Sequence, residues 1–149
     1  LKNMANDLGI SSIVDVVGAL YGEDKWEAYR SSDVFVLPTL NENFGIVIAE
    51  SFLCGTPVIT TKGAPWSIIE QNHCGWWIDR TIDCSKREKR ILSDRTIDDL
   101  VNAIQEAIRI PIQERKEMGL RGRDLIIRNF ASNVVAKRMV EVYNTIIRK

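Results

Sequence analysis

Two carboxylates and a glycine share one short stretch, P-T-L-N-E-N-F-G-I-V-I-A-E-S-F-L-C-G-T-P-V-I, residues 38–59. Glu42 falls in a polar loop, Gly45 opens what reads as a helix, and Glu50 lies inside it, eight residues after Glu42. The unpaired amides of a first helical turn and the helix dipole favour an anion, and a glycine lets a phosphate come close. Glu50 is about five residues into the helix, roughly 7–8 Å along its axis. A negative ligand would not select two carboxylates for their charge, so their chemistry is to accept hydrogen bonds from hydroxyls. One elongated ligand then reaches all three points, with hydroxyls at Glu42, phosphate at the amides near Gly45 and further hydroxyls at Glu50. A sugar joined through a diphosphate to a ribose has that order of groups. A helix-surface glutamate is usually just solvated. Glu50, however, stands between Ile46-Val47-Ile48-Ala49 and Ser51-Phe52-Leu53. A charge in so apolar a helix needs a partner or a ligand.

The positioning elements are legible on either side. Asp33-Val34-Phe35-Val36-Leu37 is an apolar run after one polar residue, the pattern of a strand covered on both faces. Pro38 ends it, and Thr39 to Asn43 is a polar loop. Phe44 to Leu53 carries Phe44, Val47, Ile48 and Phe52 at helical spacing, with Gly55 where a C-cap belongs. Pro57-Val58-Ile59-Thr60 opens a second buried strand. Strand, crossover helix and strand predict a βαβ unit and a parallel sheet.

On these residues the stretch resembles the E-x7-E signature of family-4 (group 1) glycosyltransferases, retaining enzymes of the GT-B fold; the likeness takes in Pro38, both glutamates, Phe44-Gly45, Gly55 and Pro57-Val58-Ile59. The resemblance implies an α/β fold, a Rossmann-like parallel sheet flanked by helices that forms the C-terminal, donor-binding half of GT-B. It also implies roles. The glutamate matching Glu42 contacts the transferred sugar and is the catalytic candidate. The amides matching Asn43, Phe44, Gly45 and Ile46 hold sugar and phosphate. The glutamate matching Glu50 binds ribose hydroxyls. The loop matching Ala19 and Leu20 meets the nucleotide base through backbone groups.

Composition narrows the classes. The 149 residues suit one domain, with 20 basic and 20 acidic side chains and a formal charge of zero. No basic patch with interleaved aromatics speaks for nucleic acid, and no run reaches membrane-span length. Cys54, Cys74 and Cys84 lack C-x-x-C spacing and suit a reducing compartment; Cys54 reads as core packing. The single histidine, His73, sits in a turn-like Gln71-Asn72-His73-Cys74-Gly75, which leaves little room for a Ser-His-Asp machine and offers no metal-ligand set. No Asp-x-Asp occurs, so no metal is expected and a nucleotide sugar enters as substrate rather than cofactor.

Along the chain, Leu1 to Ile10 reads as the end of a helix, with Leu1, Met4, Ala5 and Leu8 on one face and Gly9 as its stop. Ile13 to Val17 reads as a strand, Gly18 to Gly22 as a loop at its carboxyl end, where ligands of open parallel sheets bind. Asp24 to Ser32 reads as a helix with Asp24 as N-cap and Trp26 and Tyr29 as apolar contacts. Thr61 to Trp66 is a loop on the ligand-facing edge, where Lys62 could meet a phosphate and Trp66 could stack on a sugar, although solvation and packing are the commoner fates. Ser67 to Gln71 reads as a helical turn or two and Gly75 to Asp79 as a short strand. Arg80 to Asp94, with the mixed run Lys86-Arg87-Glu88-Lys89-Arg90, reads as an exposed loop. Thr96 to Arg109 is an amphipathic helix with a stripe of Ile97, Leu100, Val101, Ile104, Ala107 and Ile108, and Thr96 with Asp99 as a capping-box-like start. Pro111 begins a helix over Glu114 to Asn129. Val134 to Arg148 is the last helix, with Val135, Met139, Val142, Tyr143 and Ile146 facing inward. Phe130-Ala131-Ser132 stands where the family often has Phe-Ser-Trp.

The resemblance implies one donor-binding domain over residues 1–149 and a partner piece outside it. That piece comprises an N-terminal acceptor domain and the first elements of the donor half, which supply basic residues against the leaving diphosphate. Without them the chain alone is expected not to transfer sugar at a useful rate. It implies a UDP- or GDP-sugar donor, no nucleic-acid partner, and a cytoplasmic location, with peripheral association at the inner membrane face left open for the full-length enzyme. The run T-K-G-A-P-W…C-G-W-W-I-D resembles transferases of surface-polysaccharide and lipopolysaccharide synthesis. Two alternatives stay open: a GT-B nucleotide-sugar epimerase, and a non-catalytic module that binds nucleotide sugar or pairs with a separate acceptor-domain chain. A two-carboxylate glycosidase does not fit, because Glu50 is committed to the far end of the ligand.

Overall fold

The computed structural model describes residues 1–83 and 91–147. Helices Lys2–Asp7 (α1) and Gly22–Ser31 (α2) precede strand Phe35–Leu37 (β1). Helix Ile46–Leu53 (α3), strand Val58–Thr61 (β2), helix Ile68–Gln71 (α4) and strand Gly75–Ile78 (β3) follow. An antiparallel pair of Ile82–Asp83 (β4) and Ile91–Leu92 (β5) precedes helices Asp94–Arg109 (α5), Ile112–Phe130 (α6) and Ser132–Ile147 (α7).

The apolar run of β2 explains the architecture. All of its positions are buried, so both faces must be covered. Parallel pairing sets it between β1, with Phe35 opposite Val58, and β3, with Val58 opposite Gly75. Successive side chains then point to opposite faces. Val58 packs with Ile48, Phe52, Trp66, Ile69, Leu125 and Ile126, which belong to α3, α4, α6 and the loop after β2. Ile59 packs on the other face with Ala103 and Ala107 of α5. The predicted βαβ unit is therefore present, inside an α/β sheet with helices on both sides. Glycine permits two close approaches. A Cβ at Gly75 would lie 2.1 Å from the Val58 carbonyl oxygen. A Cβ at Gly119 would lie 1.7 Å from the Gly55 carbonyl oxygen, so α6 rests directly on the turn that ends α3.

Several expectations are corrected. Residues 13–17 form no ladder; Ile13 is 80% and Val17 67% exposed. β-branched residues become a strand only where a neighbouring edge accepts their amides, and among the described residues no strand pairs with this segment. Helix α2 starts at Gly22 with Tyr21 as N-cap, so Asp24 sits within the first turn beside Glu23, where both carboxylates meet the positive end of the dipole. Helix α5 is capped by Ser93, whose hydroxyl accepts the Thr96 amide. Thr96 is instead buried, and its hydroxyl accepts the Thr81 amide at 2.9 Å. The α5 face toward the sheet is set by Ala103 and Ala107, which let the helix come close, while Ile97, Val101 and Ile108 turn outward. In α7 none of the described residues is buried, and Val135, Met139, Val142, Tyr143 and Ile146, expected inward, are 38–64% exposed. No layer covers that stripe among the described residues. The ends of the expected 80–94 loop pair antiparallel as β4 and β5, whereas Cys84, the 86–90 charge run and Arg148 lie outside the described residues.

Replacing Gly119 by alanine tests the α6 contact. The added methyl meets backbone rather than a flexible side chain, so a loss of roughly 1–3 kcal/mol or more is expected from overpacking. Chemical denaturation of Gly119→Ala against the unmodified chain measures it.

Candidate functional site

The loop between β1 and α3 is held from below by the end of β2 and the chain that follows it. Thr60 Oγ1 donates to the Leu37 carbonyl at 2.9 Å, and Thr61 Oγ1 donates to the Thr39 carbonyl. The Glu42 amide donates to the Gly63 carbonyl at 2.9 Å. A Cβ at Gly63 would lie 2.5 Å from the Thr39 carbonyl oxygen, so only glycine permits this approach. Arg80 Nη1 donates to the Leu40 carbonyl, and the Trp66 indole donates to the Phe44 carbonyl.

On this platform Glu42 is half-buried and its Oε1 accepts the Asn43 amide at 3.0 Å. The Asn43 amide is thus already engaged by Glu42. Phe44 packs its ring on Trp66 and Phe130, with centroids 5.2 and 5.4 Å away. Gly45 takes φ 76° and ψ 62°, the left-handed region, and serves as N-cap of α3. A left-handed residue followed by a helical one turns successive N–H groups toward one concavity, a nest suited to an anion. Gly45 is itself buried and Ile46 is exposed, so the approach from solvent lies at Ile46.

Glu50 has the partner its apolar helix demands. Lys25 Nζ stands 2.7 Å from Oε1, and the Tyr29 hydroxyl donates to Oε2 at 3.4 Å; the Glu50 side chain is 18% exposed. Lys25 also lies 4.4 Å from the Trp26 ring centroid. Burial, with the Glu50 charge adding to it, pushes the Tyr29 hydroxyl up to about 12, so it remains a donor through the neutral range. Lys25 and Tyr29 were not legible as Glu50's partners. Their i, i+4 spacing puts them on one face of α2, but no sequence signal says that this face meets α3. Ala19 is exposed and Leu20 half-buried in the loop that enters α2, so they are joined to the site through the helix that touches Glu50.

For Trp66 the commoner reading, packing, holds, and Lys62 has a carboxylate partner. Lys62 is paired with Asp79 at 2.6 Å, and this ammonium holds the Asp79 carboxyl below its usual range. Trp66 is 1% exposed and takes part in the core instead of offering a face to a sugar. Cys54 is half-buried; Cys74 is buried, and burial lifts its thiol to about 11. A cavity of about 490 Å³ opens between β1 and α5, lined by Val34, Val36, Ile59, Ile104 and Ala107 among others. Its walls include neither glutamate nor Gly45. Among the described residues no group of three or more His, Cys, Asp or Glu side chains gathers as a metal site, and no helix is long and apolar enough to cross a membrane.

Known proteins resemble the chain in both sequence and fold. Residues 1–124 match the model of the glycosyl transferases group 1 family. A D-inositol 3-phosphate glycosyltransferase of Corynebacterium jeikeium is 39% identical over 62 residues, 42% of this chain and 15% of the relative. Sucrose-phosphate synthase from Thermosynechococcus elongatus superposes over 99% of this chain and 33% of its own, with TM-score 0.71 and 21% identity. Anabaena HepE, solved in complex with UDP and glucose, covers 96% of this chain and 35% of its own, with TM-score 0.66 and 17% identity. The chain thus spans a minor part of the length of these relatives. At such identities the structural likeness is one of fold, the GT-B arrangement of these glycosyltransferases. With the family model matching most of its length, the chain belongs to the group 1 glycosyl transferases.

Proposed function

We propose that this chain is the donor-binding domain of a retaining glycosyltransferase and takes a nucleotide sugar along the path from Glu50 to Glu42. One observation carries the reading: the left-handed Gly45 turn opens α3 between the two carboxylates, so a nest of amides lies between two hydroxyl acceptors. In this reading the ribose hydroxyls bond to Glu50, beside Lys25 and Tyr29. The diphosphate meets the amides at Gly45 and Ile46, each dipole interaction giving ~0.3–1 kcal/mol at low salt. The sugar lies at Glu42, and the base lies over the loop of Ala19 and Leu20. Asn43 and Phe44 act through the loop, Asn43 by fixing the Glu42 carboxylate and Phe44 by anchoring the turn. The solved neighbour with UDP and glucose supports this donor class.

Neither glutamate is poised as a nucleophile in this scheme. Retention then follows from attack on the leaving group's own face, with the departing diphosphate taking the acceptor proton. The enzyme's part is to orient the donor and stabilise charge developing on the leaving oxygen, which favours preorganised amides over a flexible charge. The reading requires no metal. In this reading no described residue is assigned to the rest of that charge or to the acceptor, so donor binding is the activity it assigns to the domain. An enzyme of surface-polysaccharide or lipopolysaccharide synthesis fits the sequence of residues 61–79, and a cytoplasmic location belongs to the same proposal.

Titration calorimetry with UDP, GDP and their sugars tests the assignment. Glu50→Gln removes a charged acceptor, so nucleotide affinity is expected to fall about tenfold or more. Glu42→Gln should leave nucleoside diphosphate affinity nearly unchanged and weaken only the nucleotide sugar. Unaltered nucleotide binding in Glu50→Gln would refute the ribose assignment. Gly45→Ala forces an L side chain to φ 76° with its Cβ 3.0 Å from Ile48 Cδ1 and 3.2 Å from Glu42 Cγ. A stability loss of about 1–2 kcal/mol is expected, and with it weaker diphosphate binding; denaturant midpoints and the same titration read both.

A further inference from the structure

Trp66 is a large, fully buried side chain whose one polar group is spent on the candidate site. Its ring lies among Phe44, Phe52 and Phe130, with centroids 5.2, 6.0 and 5.5 Å away. Its indole N–H donates to the Phe44 carbonyl. The peptide between Phe44 and Gly45 is trans, so its carbonyl and its N–H point in opposite directions. A bond that draws the Phe44 carbonyl toward the indole therefore turns the Gly45 N–H away from it. The glycine and the indole are direct neighbours: a Cβ at Gly45 would lie at van der Waals contact, 3.4 Å, from the indole nitrogen.

We propose that Trp66 is a positioning residue: through the Phe44 carbonyl it fixes the peptide plane that aims the Gly45 amide, and hence the diphosphate nest, without touching the donor. The inference rests on the donor-site reading above and adds what orients its phosphate contact. Several facts join in it. The tryptophan is inaccessible to a sugar. Its hydrogen-bond acceptor immediately precedes the left-handed glycine. The indole is packed among the rings of Phe44, Phe52 and Phe130. A tryptophan serving only as core would satisfy its N–H on any convenient carbonyl; here the carbonyl chosen belongs to the turn itself.

Trp66→Phe keeps an aromatic body and deletes the N–H. Calorimetric titration with uridine, UDP, guanosine and GDP separates phosphate recognition from nucleoside recognition. The variant is expected to lose about tenfold of the affinity advantage of diphosphate over nucleoside, with nucleoside affinity unchanged. An unchanged advantage, or a proportional loss for both ligands, overturns the positioning role, the second because a merely structural defect weakens everything alike. The indole N–H resonance of the unmodified chain gives a readout that does not depend on the variant folding. It is expected to shift on addition of the diphosphate and not of the nucleoside, and a stationary indole signal in the diphosphate-bound chain overturns the proposal. If the unmodified chain shows no preference for either diphosphate over its nucleoside, the donor-site reading falls and takes this inference with it. If that preference survives intact in Trp66→Phe, this inference alone falls.

Discussion

The hydrogen bonds that sew the chain after β1 to the chain after β2 are the constraint on which the site depends. Parallel strands end at the same edge of a sheet, and their following loops must cross it side by side with many backbone groups to satisfy. Here the donors come from β2 and its loop: the hydroxyls of Thr60 and Thr61, and the indole of Trp66. The acceptors are the carbonyls of Leu37, Thr39 and Phe44, spread from the end of β1 along the connection to α3. The Gly63 carbonyl receives the Glu42 amide in return. Each bond adds only about 0.5–1.5 kcal/mol net, while an unmet buried partner would cost more. The set therefore specifies one loop conformation more than it adds stability. That conformation places a left-handed glycine at the mouth of α3 and a carboxylate on each side of it.

The charge on Glu50 is accommodated by the same economy of placement. The side chain is mostly removed from solvent, and a lone carboxylate there would be costly. Lys25 supplies the counter-charge from α2, with Tyr29 as a second donor. An ion pair this close to the surface contributes little to stability, of order 0–1 kcal/mol. Its effect is orientational. An ionised carboxylate has about four lone-pair sites, so an ammonium on one oxygen and a phenol on the other leave acceptor capacity for a pair of vicinal hydroxyls.

Much of this could be read before any coordinates. The alternation of apolar run, glycine-opened helix and apolar run gave the parallel β1–α3–β2 unit, because burial on both faces and crossover length leave few other solutions. The order Glu42, Gly45, Glu50 along one helix entrance was equally plain. What escaped was whatever depends on which surface meets which. Nothing in the sequence around Lys25 names its partner; the packing of α2 on α3 supplies it. Trp66 has an apolar body and a polar tip, and only its burial decides between stacking on a ligand and clamping a carbonyl. Ile13 to Val17 has the composition of a strand yet finds no edge to pair with, and the stripe of α7 is a real helical stripe with nothing over it among the described residues. Ser93 and Thr96 are three residues apart and both suit a cap, and only the fold, which buries Thr96, leaves the role to Ser93.

A crystal structure of the chain with a bound nucleoside diphosphate or its sugar tests the central claim most directly. The account predicts ribose hydroxyls on the Glu50 carboxylate, phosphate oxygens against the amides at Gly45 and Ile46, and, with the sugar attached, a sugar hydroxyl on Glu42. A nucleotide seated in the apolar cavity between β1 and α5, or one whose phosphates avoid the opening of α3, would contradict it.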